Sequence, residues 1–215
     1  MKLRAFLSAA IVVFVLVADQ VIKIAVKTNM ALYERIDVFD WFKIYFVENR
    51  GMAFGMDFIG TGILTVFRLV AVGAFTYVLV KCIRQKYPIG FIVCLALIIS
   101  GAFGNIIDNC FYGLIFTESQ PANPFFSNVA EFTAFGEGYG SFLSGRVVDM
   151  FYFPLWQWPA SWPVIGGQTF FGAVFNFADS AISVGAVAMI LFYYKRLAGI
   201  TDGELNGNAT DEASE

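Results

Sequence analysis

The sequence predicts an all-α membrane protein: four transmembrane helices joined by two outward-facing loops, in which some β structure and an interfacial segment are expected. Composition carries the first half of this reading. Residues are 58% hydrophobic and only 14% charged, with 25 phenylalanines, well beyond the apolar content of a soluble domain. Distribution carries the second half. The apolar residues gather in four stretches, 3–26, 59–80, 89–116 and 170–194, each long enough for the ~20 residues a helix needs to cross a bilayer.

Basic residues orient the spans. Lys2 and Arg4 precede the first, Lys81, Arg84 and Lys86 lie in the short turn between the second and third, and Lys195 and Arg196 follow the fourth. The positive-inside rule therefore places both termini in the cytoplasm. Loops 27–58 and 117–169, each with more acidic than basic residues, then face outward. The first stretch opens like a signal peptide, but Asp19 and Lys23 follow its apolar core at i, i+4 spacing, and no small-residue cleavage site comes after them. It is read as a retained span. Residues 1–200 form one integral membrane domain, and the small, polar, acidic segment 201–215 is expected to be a disordered cytoplasmic tail.

Several chemistries fall away at once. The chain has no histidine, which removes Ser-His-Asp and Cys-His nucleophile schemes and His-ligated zinc. A net charge of −3, without a basic run interleaved with aromatics, gives no sign of a nucleic-acid partner. Cys82, Cys94 and Cys110 lack CxxC spacing and lie in or beside apolar runs, so they read as buried, inert thiols. Carboxylates remain as the candidates for chemistry.

Counting ~1.5 Å per residue from the outward ends of the spans puts Asp19 ~10 Å, Asp108 ~12 Å and Asp179 ~14 Å in, at a common level. Ionisable groups at membrane depth mark functional sites by default. Asn105 and Asp108 lie three apart on the third span, and Asn176, Asp179, Ser180 and Ser183 are expected on one face of the fourth. Gly101 and Gly104 read as packing residues that let helices or a substrate backbone approach. Asp19 and Lys23 read as a structural pair, while Asn105 and Asp108 suit either a structural network or support of a site. Arg68, on the outward half of the second span, has no carboxylate partner within its own helix and is a candidate to orient the acidic cluster. Asp149 lies in a loop. The stretch after it, with Phe151, Tyr152, Phe153, Trp156, Trp158 and Trp162, suits the headgroup level and would bring Asp149 to the mouth of the bundle near Asp179. Two carboxylates that converge in a poorly solvated place cannot both stay ionised, so one keeps its proton and the other acts as a base.

The motifs that carry these residues resemble, in order along the chain, those of the bacterial lipoprotein signal peptidases, or signal peptidase II. They are Asp19-Gln20 with Lys23; Glu48-Asn49-Arg50-Gly51-Met52-Ala53-Phe54-Gly55; Gly104-Asn105-Ile106-Ile107-Asp108; Val147-Val148-Asp149-Met150-Phe151; and Phe175-Asn176-Phe177-Ala178-Asp179-Ser180. The resemblance implies an aspartic endopeptidase of the bacterial inner membrane that removes the signal peptide from diacylglyceryl-modified prolipoproteins, cutting before the lipidated cysteine. It implies Asp149 and Asp179 as the catalytic pair, with Asn49, Gly51, Asn105, Asp108 and Asn176 binding substrate or supporting the site, and Asp19 and Lys23 stabilising it. It implies no metal or organic cofactor, an active site toward the outer face, and, besides prolipoprotein, membrane lipid and peptide-like inhibitors such as globomycin as binding partners. Two departures stand out. Asn109 follows Asp108 where the family commonly has arginine, leaving Arg68 and Arg146 as the nearest candidate cations. The segment of about 117–145 is also longer than usual. A proton-coupled transporter, an assembly subunit and a presenilin-type protease are the rival classes. The absence of inverted repeats, the presence of Asp149 outside any span and the lack of a GxGD motif weigh against them in turn.

Overall fold

The computed structural model describes residues 1–49, 61–123 and 129–211. Gly51 and its neighbours in 50–55, the first residues of the expected second span, and Pro124, Phe125 and Phe126 of the long insert lie outside the described residues. Among the described residues, four helices are long and apolar enough to cross a membrane. Helix α1 is Lys2–Lys27, α2 is Thr61–Arg84 and α3 is Ile89–Ile107, which continues through a π-helical turn, Asp108–Tyr112, into the short α4, Gly113–Ile115; α5 is Phe177–Asp211. Strands β1 (Arg35–Phe39), β2 (Phe42–Asn49), β3 (Val147–Tyr152) and β6 (Val174–Phe175) form an antiparallel sheet in that order, and β4 (Trp156–Gln157) pairs with β5 (Thr169–Phe170).

The span α3 is the centre of the bundle. Its most apolar window is 61% buried against 11% to 22% for the other three, so α1, α2 and α5 pack around it and turn apolar faces outward, as lipid-facing helices do. Glycines set the closest approach. A Cβ on Gly101 would lie 2.2 Å from the Ala178 carbonyl oxygen, and one on Gly185 would lie 2.8 Å from that of Cys94, so α3 and α5 touch backbone to backbone. Cys82, Cys94 and Cys110 are free and buried in the apolar core that these helices share with Phe91, Leu95 and Met189. Arg4 Nε donates to the Tyr87 carbonyl at 2.9 Å, and Arg196 lies over the Tyr87 ring. The basic ends of α1 and α5 and the α2–α3 turn therefore meet at one end of the bundle, and the sheet stands at the other.

Three expectations change. The fourth span begins at Phe177 and not near residue 170, because residues 169–175 are used by β5 and β6. Asp179 thus sits in the first turn of α5, not ~14 Å along it. Asp149 lies on a strand and not in a loop: Val147, Val148, Asp149 and Met150 are all buried in β3, and the exposed aromatic belt starts beyond them. Helix α5 also runs through Asp211 over residues expected to be without structure, since adding a residue to an existing helix avoids the cost of nucleation.

The long insert folds back on the end of α4. Thr117 N–H donates to the Glu131 carbonyl at 2.9 Å, Tyr139 N–H to Phe116 at 2.9 Å and Gly140 N–H to Gly113 at 2.8 Å. Tyr112, Phe116, Phe46, Val148 and Met150 form a second core between the sheet and the helix ends. Replacing Gly101 with alanine drives a methyl into the backbone of α5, and we expect it to lower stability by about 1–3 kcal/mol. Thermal unfolding in detergent would measure this, and an unchanged midpoint would disprove the close contact.

Candidate active site

The site grows from one face of α1. Asp19, Lys23 and Lys27 recur every four residues, so they stack along a single stripe turned to the interior, and all three are buried. Lys23, fully buried, meets Asp19 at 2.9 Å, Asp108 of the π-helical turn at 2.8 Å and the Asn105 side-chain oxygen at 2.8 Å. A buried ammonium is tolerable only with such partners. Gln20 fastens the same carboxylates, donating to Asp108 Oδ1 at 2.9 Å and Asp19 Oδ2 at 3.2 Å, while its own oxygen accepts from the Tyr112 hydroxyl at 3.1 Å. Asp108 Oδ2 further accepts from the Val148 N–H at 3.3 Å, which ties β3 to α3.

The start of α5 is built by reciprocal capping. The Asn176 side-chain oxygen accepts from the Asp179 N–H at 2.9 Å, and Asp179 Oδ2 accepts from the Asn176 N–H at 3.3 Å, the pattern of a capping box with Asn and Asp in the two roles. The Ala178 N–H, another unpaired donor of the first turn, is taken by Asp19 Oδ1 at 2.9 Å. Asn176 is therefore the helix cap and not part of a helical stripe. Ser180 Oγ bonds back to the Asn176 carbonyl at 3.0 Å, and Ser183 is exposed, so neither belongs to the polar cluster.

Two asparagines join the carboxylates. Asn176 Nδ2 donates to Asp149 Oδ1 at 2.7 Å and to Asn105 Oδ1 at 3.1 Å, and Asn105 Nδ2 donates to Asp179 Oδ1 at 2.9 Å. Asn49, at the end of β2, hydrogen-bonds Asp149 from the other side. Burial pushes the Asp149 carboxyl up to about 7; the charge of Asp179 adds to this, and the bonds from Asn176 and Asn49 oppose it. Asp179 is only half-buried. Among the described residues every buried side-chain nitrogen and oxygen has a hydrogen-bond partner, as a network that rigidifies its members requires.

Arg68 and Arg146 take different places. Arg68 Nη1 donates to Asn109 Oδ1 at 2.7 Å, and its charge acts on Asp179, Asp149 and Asp108. Asn109 passes the link on, since its Nδ2 donates to the Gly145 carbonyl at 2.8 Å. Arg146 instead pairs with Glu48 at 3.2 Å and Glu118 at 2.9 Å. Gly104 packs against Asp19 and offers its carbonyl to Gln20 at 3.3 Å. Gln20, Asn109 and Tyr112 were missed as site residues. Tyr112 lies four residues beyond Asp108, a spacing that brings helical side chains together, whereas spacing gave no such signal for Asn109.

This arrangement coincides with a family match along most of the chain. The model for Signal peptidase (SPase) II matches residues 11–195. The chain belongs to the signal peptidase II family. A lipoprotein signal peptidase of Porphyromonas gingivalis is 45% identical over 201 residues, spanning 91% of this chain and 86% of the relative. One from Chlorobium phaeovibrioides is 33% identical over 159 residues, spanning 71% and 68%. A bacterial membrane enzyme solved by the in meso method at 2.3 Å shares the fold, with a TM-score of 0.56 at 22% identity over 89% of this chain and 90% of that one. The chain is thus a membrane-embedded peptidase of lipoprotein processing.

Asp19→Asn takes one of two carboxylates from a fully buried lysine. We expect a loss of stability on the order of 3 kcal/mol, read by thermal unfolding in detergent. Unchanged stability with full loss of turnover would instead move Asp19 into the chemistry.

Proposed function

We propose that this enzyme removes the signal peptide from diacylglyceryl-modified prolipoproteins, cutting before the lipidated cysteine, with Asp149 and Asp179 as its catalytic pair. One observation carries the assignment: a single side chain, Asn176, donates to Asp149 and accepts the backbone N–H of Asp179, so one strand carboxylate and one helix carboxylate are referenced to the same amide. Asp149, with its carboxyl near 7, holds the proton and polarises the scissile carbonyl. Asp179 takes a proton from the attacking water, and Asp149 then protonates the leaving amine. Asn105 and Asn49 hold the two carboxylates in register for this exchange, and Lys23 and Asp108 hold Asn105 and β3.

The enzyme sits in the bacterial cytoplasmic membrane with both termini inside and the pair toward the outer face. In support, the basic ends of α1 and α5 lie at the end of the bundle away from the sheet. The exposed Trp41, Trp156 and Trp162 suit the headgroup level, where membrane lipid would meet the enzyme. Peptide-like inhibitors such as globomycin would compete with prolipoprotein at the carboxylate pair.

Asp149→Asn and Asp179→Asn are each expected to abolish cleavage of a lipid-modified precursor by purified enzyme; activity within about tenfold of the native level in either would end the assignment. The Asp149 variant carries a second signature. Its folded carboxyl lies above the ordinary 3.8, so the charged form is disfavoured in the fold, and the penalty grows from pH 3.8 and is fully present above about pH 7. Asp149→Asn should therefore raise stability at pH 8 by ~1 kcal/mol or more and leave it little changed at pH 4. Equal effects at both pH values would contradict the raised carboxyl.

Arg68→Gln removes a cation that favours the ionised base. The acidic limb of the pH–rate profile should move to higher pH by roughly half a unit or more at saturating substrate. An unmoved limb would leave Arg68 with a structural role through its bond to Asn109.

A further inference from the structure

A second buried ion cluster lies one turn beyond Lys23, and the chemistry above does not use it. Lys27, the last residue of α1, is fully buried and bonded to Glu48, whose side chain is only 2% exposed. Ser119 of the insert joins them: Lys27 Nζ donates to its Oγ at 2.8 Å, and that hydroxyl donates to Glu48 Oε1 at 2.7 Å. The second oxygen of Glu48 takes Arg146 at 3.2 Å, and the other arm of that guanidinium reaches Glu118 at 2.9 Å. Tyr139 completes the group. Its hydroxyl accepts the Arg146 backbone N–H at 2.7 Å, and both Lys27 and Arg146 lie 5.1 Å from its ring centroid.

Burying charge this deeply costs more than an apolar contact of the same size. What it confers is geometry, because one carboxylate must satisfy a cation from α1 with one oxygen and a cation from the start of β3 with the other. Arg146 is held at its backbone, both arms of its guanidinium and its planar face. Three residues of extended chain, ~10 Å, then lead to Asp149. On the neighbouring strand Glu48 pairs with Val148 and is followed by Asn49, which bonds Asp149. The cluster thus governs both the backbone that carries Asp149 and one of the donors that hold it. Among its described residues, the insert that supplies Glu118, Ser119 and Tyr139 is bonded to the α4 end of the third span at Thr133, Gly136, Tyr139 and Gly140 and to its own return at Thr117.

We propose that Lys27, Glu48 and Arg146, completed by Glu118, Ser119 and Tyr139 of the insert, are positioning residues that set where Asp149 stands relative to Asp179. The insert then acts on catalysis through β3 and not by contact with substrate. This rests on Asp149 and Asp179 being the catalytic pair. Asp179 from α5, Lys23 from α1 and Arg68 from α2 act on Asp149 directly, while the cluster is joined to it through the backbone of β3 and through Asn49.

The test compares full-length Tyr139→Phe, Ser119→Ala and Glu48→Gln with the native enzyme on a lipid-modified precursor peptide, measuring kcat and KM across pH together with thermal unfolding. For Glu48→Gln we expect kcat to fall on the order of tenfold or more, since misplacement of ~1 Å at a reacting group costs up to 100-fold. KM should stay within about twofold. The two milder variants should show the same pattern at smaller amplitude. In all of them the alkaline limb should move to lower pH, because Asp149 displaced from Asp179 and from its buried place gives up its proton more readily. A drop in stability with kcat per folded enzyme and the alkaline limb both unchanged would overturn the proposal. So would a raised KM at unchanged kcat, which would make the insert a substrate contact. The milder variants keep the test decisive if Glu48→Gln does not fold. A native enzyme that fails to cleave the peptide would sink the proposed function instead, so the two failures are distinct.

Discussion

Lys23 is the constraint on which the rest of the site depends. Its ammonium sits at the level where α1, α3 and the start of α5 converge, and its three partners come from α1, α3 and the π-helical turn that follows α3. Each partner has a second duty: Asp19 caps α5 through Ala178, Asp108 receives the Val148 N–H of β3, and Asn105 holds Asp179. A single buried cation therefore fixes the relative placement of three helices and a strand. In hydrocarbon the alternative to these contacts is an uncompensated charge, so the geometry is enforced by the penalty for leaving it.

The two carboxylates of the pair are held by unlike means. Asp179 belongs to the first turn of a helix, where capping sets its backbone and side chain together. Asp149 belongs to a strand buried along most of its length, so its position follows from the register of β2 against β3. Shifting that register by one residue would turn Asp149 to the opposite face. In the proposed mechanism this is why the end of the β2–β3 pair at Glu48 and Val148, one residue from Asp149, has more than local effect.

Much of this was legible in the sequence because membrane depth makes polar residues informative. Asp19, Asp108 and Asp179 stand out in apolar runs, and the structure joins them through Lys23 and Asn105 into one network. The span count and the small-residue contact at Gly101 were legible for the same reason. What stayed hidden depends on pairing between distant segments. The strand at Asp149 has near-continuous hydrophobicity and no alternation, the pattern of a strand covered on both faces, which periodicity alone cannot separate from other buried segments. The expected start of the fourth span lies too early because Phe170 and Phe175, which belong to short strands, and Phe171 in the turn between them extend the apolar run backward. Only the cap at Asn176 marks the true boundary, and hydropathy does not register a cap. Nothing in the sequence links Lys27 with Glu48, and only the fold brings them together with Ser119 and Arg146.

Under the role proposed for Arg68, the charge beside the carboxylates comes from α2 and is joined to the site through Asn109. Asn109 is fully buried and points its oxygen at the guanidinium and its nitrogen at the Gly145 carbonyl. It therefore reads the position of α2 and conveys it to the segment that enters β3. Among the described spans α2 is the least enclosed, with 11% of its apolar window buried, so single contacts such as Arg68–Asn109 count for more in fixing its place than they would on α3. Its cation nonetheless reaches the fixed part of the site, because Asn109, which receives it, is fully buried on the turn that follows α3.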